Sequence, residues 1–139
     1  MSTRVAKALS NHKKKYNCSQ AVACAFCDQV GVDEETMFKL TEGFGLGMGC
    51  MDGTCGAVSG AIVLAGMCNS TGNLETPNSK ADTYKLSKQI VQAFIEKNQS
   101  IVCKDLKGVE TNQILRSCDG CIEDAARIAE EILFSKKEK

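Results

Sequence analysis

Ser79-Lys80-Ala81-Asp82-Thr83-Tyr84-Lys85-Leu86-Ser87-Lys88-Gln89-Ile90-Val91-Gln92-Ala93-Phe94-Ile95-Glu96-Lys97-Asn98 decides the fold. Tyr84, Ile90, Val91, Phe94 and Ile95 recur at helical spacing, with lysines and glutamines between them, and Ser79 with Asp82 has the spacing of a capping box. Outward from this helix the same three- and four-residue rhythm continues, and no run alternates with period two long enough for a strand. A first helix is expected over Thr3 to Lys14, with Val5, Ala8 and Leu9 inward. Asn17 and Gln20 make a capping box for a second, which Gly31 ends. Asp33 caps a short third carrying Met37, Phe38 and Leu40. Thr54 caps a fourth, Cys55 to Met67, whose Gly56, Ala57, Gly60 and Ala61 let a neighbouring backbone come close. A short turn bears Cys103 and Leu106, and a last helix spans Cys118 to Phe134. Ser135 to Lys139 is expected to fray. The fold class is all-α: a bundle of five to six helices with a Gly-rich loop.

At 139 residues the chain suits one domain, 1–139, since single cores run to about 100–200 residues. Seventeen Lys plus Arg balance seventeen Asp plus Glu, so no net field draws in nucleic acid. No apolar run reaches the roughly 18 residues of a membrane span, and the opening residues lead into a charged segment rather than a secretory core. The expectation is a cytoplasmic protein with no membrane insertion. The apolar fourth helix would serve a homodimer face as well as a core.

Nine cysteines stand beside one histidine, one proline and no tryptophan. The odd count, and a chain long enough to build its own core, argue for reduced thiols rather than staples. His12, the sole histidine, lies in His12-Lys13-Lys14-Lys15 and reads as an outward helix position. Gly43-Phe44-Gly45-Leu46-Gly47-Met48-Gly49 has a glycine at every second position, and because each glycine costs about 1 kcal/mol in a helix this is a loop. It lacks the Gly-x-Gly-x-x-Gly register, has no strand before it and no Gly-Lys-Ser/Thr after it, so nucleotide-loop chemistry is not indicated.

Cys18 follows Asn17, Cys55 follows Thr54 and Cys118 follows Ser117, each at an expected helix start, where free N–H groups and the dipole favour a thiolate. The dipole's about 0.3–1 kcal/mol moves a thiol by less than about one pKa unit, so several such thiols converging on a metal would be the more economical explanation. Two Cys-x-x-Cys pairs occur. Cys24 and Cys27 fall on an apolar helix face and read as core. Cys118 and Cys121 open a helix and are candidate catalytic residues, a reactive thiol with its resolving partner, although the strand–helix–strand setting of that motif is missing. The two pairs lie too far apart in the chain for a zinc finger.

Thr54-Cys55-Gly56-Ala57-Val58-Ser59-Gly60-Ala61, with Asn17-Cys18-Ser19-Gln20-Ala21-Val22, Cys103-Lys104-Asp105-Leu106 and Cys118 ahead of Ala125-Ala126, resembles the C_GCAxxG_C_C family of redox-active proteins. The likeness spans nearly the whole chain, and Cys18, Cys55, Cys103 and Cys118 match the family's four cysteines. It implies a redox role in a small helical domain, with these four as candidate metal ligands for an iron–sulfur cluster. Cys50, where relatives are expected to carry a polar or basic residue, and Cys121 depart from the pattern: each is a further ligand, a disulfide partner or a spectator.

Three functions remain open. Cys18, Cys55, Cys103 and Cys118 ligate an iron–sulfur cluster, or zinc, and pass electrons to a redox partner protein. In that case Gly45, Gly47, Gly49 and Gly56 are the candidate cofactor-binding positions, offering backbone N–H groups to sulfur. Alternatively, two cysteines cycle as a thiol–disulfide oxidoreductase or redox sensor without a cofactor, Cys118 with Cys121 or Cys50 with Cys55. Third, the chain is a non-catalytic helical interaction module whose cysteines fill the core.

Overall fold

A computed structural model of the protein describes residues 2–135, so the expected tail beyond Ser135 lies outside the described residues. The chain is all-α in a single domain, and four of its helices begin where a polar side chain takes up a free amide. α1 (Thr3–Lys13) opens at Ser2, whose hydroxyl accepts from the Val5 amide at 3.1 Å. α2 (Cys18–Cys24) opens at Asn17 with the capping box complete: the Gln20 amide donates to Asn17 and the Asn17 amide donates to the Gln20 side chain, both at 2.9 Å. Its α-ladder stops before Gly31, and a 3-10 turn, Cys27–Val30, leads to that left-handed glycine. α3 (Glu34–Thr41) opens at Asp33, which accepts from the Thr36 amide.

After α3 come a 3-10 turn, Glu42–Phe44, and one hydrogen-bonded turn, Gly45–Met48, in which Leu46 and Gly47 are left-handed. Then follow α4 (Gly56–Asn69), α5 (Lys80–Asn98), α6 (Cys103–Lys107) and α7 (Cys118–Ala129), which runs on into a π-helical turn, Glu130–Phe134. Seven α-helices therefore stand among the described residues where the sequence suggests five to six, the addition being the single turn at Cys103. Two starts also differ. Cys55 is itself the cap of α4 rather than its first residue. Ser79 makes no cap because its backbone is not extended (φ −119°, ψ −6°); its hydroxyl accepts from the Thr71 amide at 3.1 Å instead.

α4 is the centre of the molecule. It is apolar around most of its circumference, and Gly56 to Ala61, Leu64 and Ala65 are all buried, as a helix without a polar face must be. α2, α5 and α7 pack around it, and α1 closes over α2 and α7. Phe26, Met37, Leu64, Ile90, Phe94 and Ile122 fill the core between them, with Phe26 stacked on Phe134 at a centroid distance of 4.8 Å. α2 comes close to α4 because Gly60 has no side chain: a Cβ there would stand 2.6 Å from the Ser19 carbonyl oxygen. Among the described residues no helix is long and apolar enough to cross a membrane.

Candidate thiol site

The helix starts meet at one end of the bundle. Cys18 at the start of α2, Cys55 at the cap of α4, Cys103 at the start of α6, and Cys118 and Cys121 in the first turns of α7 line a single cavity of about 180 Å³. Local sequence explains the convergence. Asn17 and Ser117 each take a backbone amide of the helix they precede, which fixes where Cys18 and Cys118 begin. Gly56 allows Cys18 beside Cys55, since a Cβ at Gly56 would lie 3.3 Å from that of Cys18. A short backbone pairing brings in the third segment: the Cys55 amide donates to Ile101 at 2.6 Å, and the Cys103 amide to Gly53 at 3.0 Å.

The thiols are paired within the cavity. Cys18 hydrogen-bonds with Cys118, and Cys55 with Cys121. In the first pair, the Cys18 thiol donates to the Cys118 sulfur and lowers the Cys118 pKa to about 6, helped by the charges of Lys107 and His12 and by a hydrogen bond from Lys107. Cys18, holding the shared proton and largely desolvated, is pushed far up. In the second pair, Cys121 donates to Cys55, and the Ala57 and Val58 amides at the start of α4 also favour the Cys55 thiolate, so its pKa falls while that of Cys121 rises. Burial raises Cys103, which has no such donor. The pairs differ in access: Cys18 and Cys118 are partly buried, whereas Cys55 and Cys121 are 5 % and 2 % exposed.

The remaining candidates are distributed as follows. Cys118 and Cys121 share the cavity, but each meets a thiol from another helix. Cys50 is exposed, points its thiol at the Gly47 carbonyl and is not among the residues lining the cavity. Cys24 and Cys27 are buried in the core, and burial pushes Cys24 up to about 12. Cys68 is half-buried and also off the cavity. Of the four glycines, Gly47 and Gly56 line the cavity, Gly45 packs against Asn17, and Gly49 lies outside.

Three cavity residues carried no signal in the sequence. Lys107, one turn after Cys103, is a lysine among many. Leu46 lines the apolar wall from the glycine segment. Arg116 reaches from the cavity rim to the buried Asp124, at 3.0 and 3.2 Å, and Asn98 of α5 donates to the same carboxylate at 3.1 Å. His12, expected to face outward, sits on the rim with Nδ1 2.6 Å from Asp119.

The donor set of the cavity is dominated by sulfur, which suits a soft metal ion or an iron–sulfur cluster. Among the described residues no group of three or more His, Cys, Asp or Glu side chains is drawn together tightly enough to hold one ion.

Residues 16–132 match the model of a protein family described as "Putative redox-active protein (C_GCAxxG_C_C)". No curated protein and no solved structure matches the chain.

Proposed function

From a chain that belongs to the C_GCAxxG_C_C family of redox-active proteins, we infer a thiol–disulfide oxidoreductase in which Cys118 is the attacking thiolate and Cys18 its resolving partner. The observation that supports this most directly is the contact between these two partly buried sulfurs in the cavity. The Cys118 thiolate attacks one sulfur of a partner's disulfide. That bond breaks, the partner's second sulfur leaves as a thiolate, and a mixed disulfide remains. Cys18 then gives its proton to the departing thiolate and attacks the Cys118 sulfur, releasing the partner's first sulfur. The partner gains two electrons, and the protein holds a Cys18–Cys118 disulfide. Run backwards, the same steps oxidise a dithiol. At the oxidising end of a titration in a glutathione redox buffer, quenched with an alkylating agent, the thiol count should fall by at least two and peptide mass spectrometry should find Cys18 joined to Cys118. Nine thiols still free at the oxidising end of the titration would overturn this reading.

The donor chemistry favours a second reading. Cys18, Cys55, Cys103 and Cys118, with Cys121 beside them, would hold an iron–sulfur cluster, which would supply one-electron transfer in place of two-electron exchange. Anaerobically purified protein would then contain iron and show sulfur-to-iron charge-transfer absorption; colourless, iron-free protein removes this alternative.

A further inference from the structure

We propose that the cavity is a two-stage relay, in which a disulfide made at the outer Cys18–Cys118 pair is handed to the inner Cys55–Cys121 pair. The inference rests on the thiol–disulfide reading above and extends it to two thiols for which that reading has no use.

One thiol pair suffices for exchange with a partner, yet a second pair faces the same small cavity. Cys118 and Cys121 lie three residues apart on α7, so one face of that helix carries a member of each pair. Cys18 and Cys55 are brought together across Gly56. Each pair thus has a member beside a member of the other, and the thiolates of Cys55 and Cys118 are near enough to oppose one another's charge. The accessible pair is the outer one. At 5 % and 2 % exposure, Cys55 and Cys121 are shielded from any bulky partner and are reached only from within.

The exchange balances without an outside reagent once the outer disulfide exists. The Cys55 thiolate attacks the Cys18 sulfur, its neighbour across Gly56, the Cys18–Cys118 bond breaks, and Cys118 leaves as a thiolate. Cys121 attacks the Cys55 sulfur and passes its proton to Cys18, which leaves as a thiol. A Cys55–Cys121 disulfide has formed, the outer dithiol is restored, and the protein has undergone no net oxidation in the transfer. The direction follows from the surroundings. A partner can meet the outer pair, whereas Cys55 and Cys121, 5 % and 2 % exposed, can be oxidised only by a disulfide already inside the cavity. With both pairs filled, one molecule stores four electrons' worth of oxidation.

The test uses the intact protein, fully reduced, mixed with one equivalent of oxidised glutathione, sampled over time by acid quench, alkylation and peptide mass spectrometry. Cys18–Cys118 should appear first and decline as Cys55–Cys121 accumulates to more than about three-quarters of the disulfide. In Cys118→Ala the inner disulfide should form at least about tenfold more slowly. In Cys55→Ala the outer disulfide, once formed, should persist. A Cys18–Cys118 disulfide that remains in the wild type while Cys55 and Cys121 stay free would overturn the relay and leave the oxidoreductase reading standing. Inner oxidation as fast in Cys118→Ala as in the wild type would overturn it too. Failure of both pairs to oxidise would remove the two readings together.

Discussion

Near neutral pH the surroundings of Cys118 reverse a thiol's usual preference for its proton. An ordinary thiol titrates at about 8.5, whereas Cys118 is lowered to about 6 by the Cys18 thiol, with Lys107 and His12 adding positive charge. The thiolate is the reactive form, so a lowered pKa means reactivity that is already complete at pH 7 and is lost only as pH falls through 6. Iodoacetamide labelling followed by peptide mass spectrometry should give half-maximal modification of Cys118 near pH 6, and Lys107→Met should move that midpoint up by about one unit. A rate that climbs only between pH 8 and 9 would contradict the electrostatics described here. Ser19, the residue beside Cys18, tests a different balance. It is fully buried, and its hydroxyl has no hydrogen-bond partner among the described residues. An unsatisfied buried polar group costs about 1–3 kcal/mol, so Ser19→Ala should raise the unfolding free energy by about 1 kcal/mol in a urea titration.

For the helices, the glycines of α4 separate what the sequence could say from what it could not. Gly56 and Gly60 signal a close helix approach from composition alone. That the approaching backbone is that of α2, at Ser19, depends on the lateral packing of helices far apart in sequence and leaves no local trace. The capping boxes divide in the same way. Asn17–Gln20 forms as its spacing predicts, whereas Ser79–Asp82 has the same spacing but fails, because the polar loop before α5 uses the Ser79 hydroxyl for Thr71. The packing argument gives two substitutions in one helix opposite signs. Ala at an exposed or open glycine of a helix gains about 1 kcal/mol, and at Gly66 nothing stands within 4 Å of an added Cβ. At Gly60 the added Cβ meets backbone that cannot move aside, and overpacking of that kind costs about 1–3 kcal/mol. Denaturant titrations should therefore find Gly66→Ala stabilising and Gly60→Ala destabilising, the latter with faster alkylation of Cys55 as α2 is forced off α4. Equal effects at the two sites would refute the close packing.

Across the whole molecule, a residue near the beginning of the chain meets one near its end. Sequence spacing marked Cys18, Cys55 and Cys118 as helix-start thiols, and family likeness added Cys103 and marked the four as a set. Neither could show that Cys118 turns to Cys18 and Cys121 to Cys55, because the rotation of α7 about its axis depends on long-range contacts, its apolar face in the core and Asp124 buried against Arg116 and Asn98. This long-range pairing has a thermodynamic consequence. The Cys18–Cys118 bond would close a loop of about 100 residues and Cys55–Cys121 one of about 66, and the chain-entropy model assigns such loops about 4–5 kcal/mol of stabilisation through the unfolded state, less any native strain. Oxidation of either pair should therefore raise the unfolding free energy by at least about 2 kcal/mol over the fully reduced protein, read as a higher urea midpoint that returns to the reduced value on adding dithiothreitol. Redox state and global stability are then coupled: a partner that reduces the protein also loosens it. A urea midpoint indifferent to oxidation, in protein shown by mass spectrometry to carry either disulfide, would mean that the bond strains the helix starts by as much as it restrains the unfolded chain.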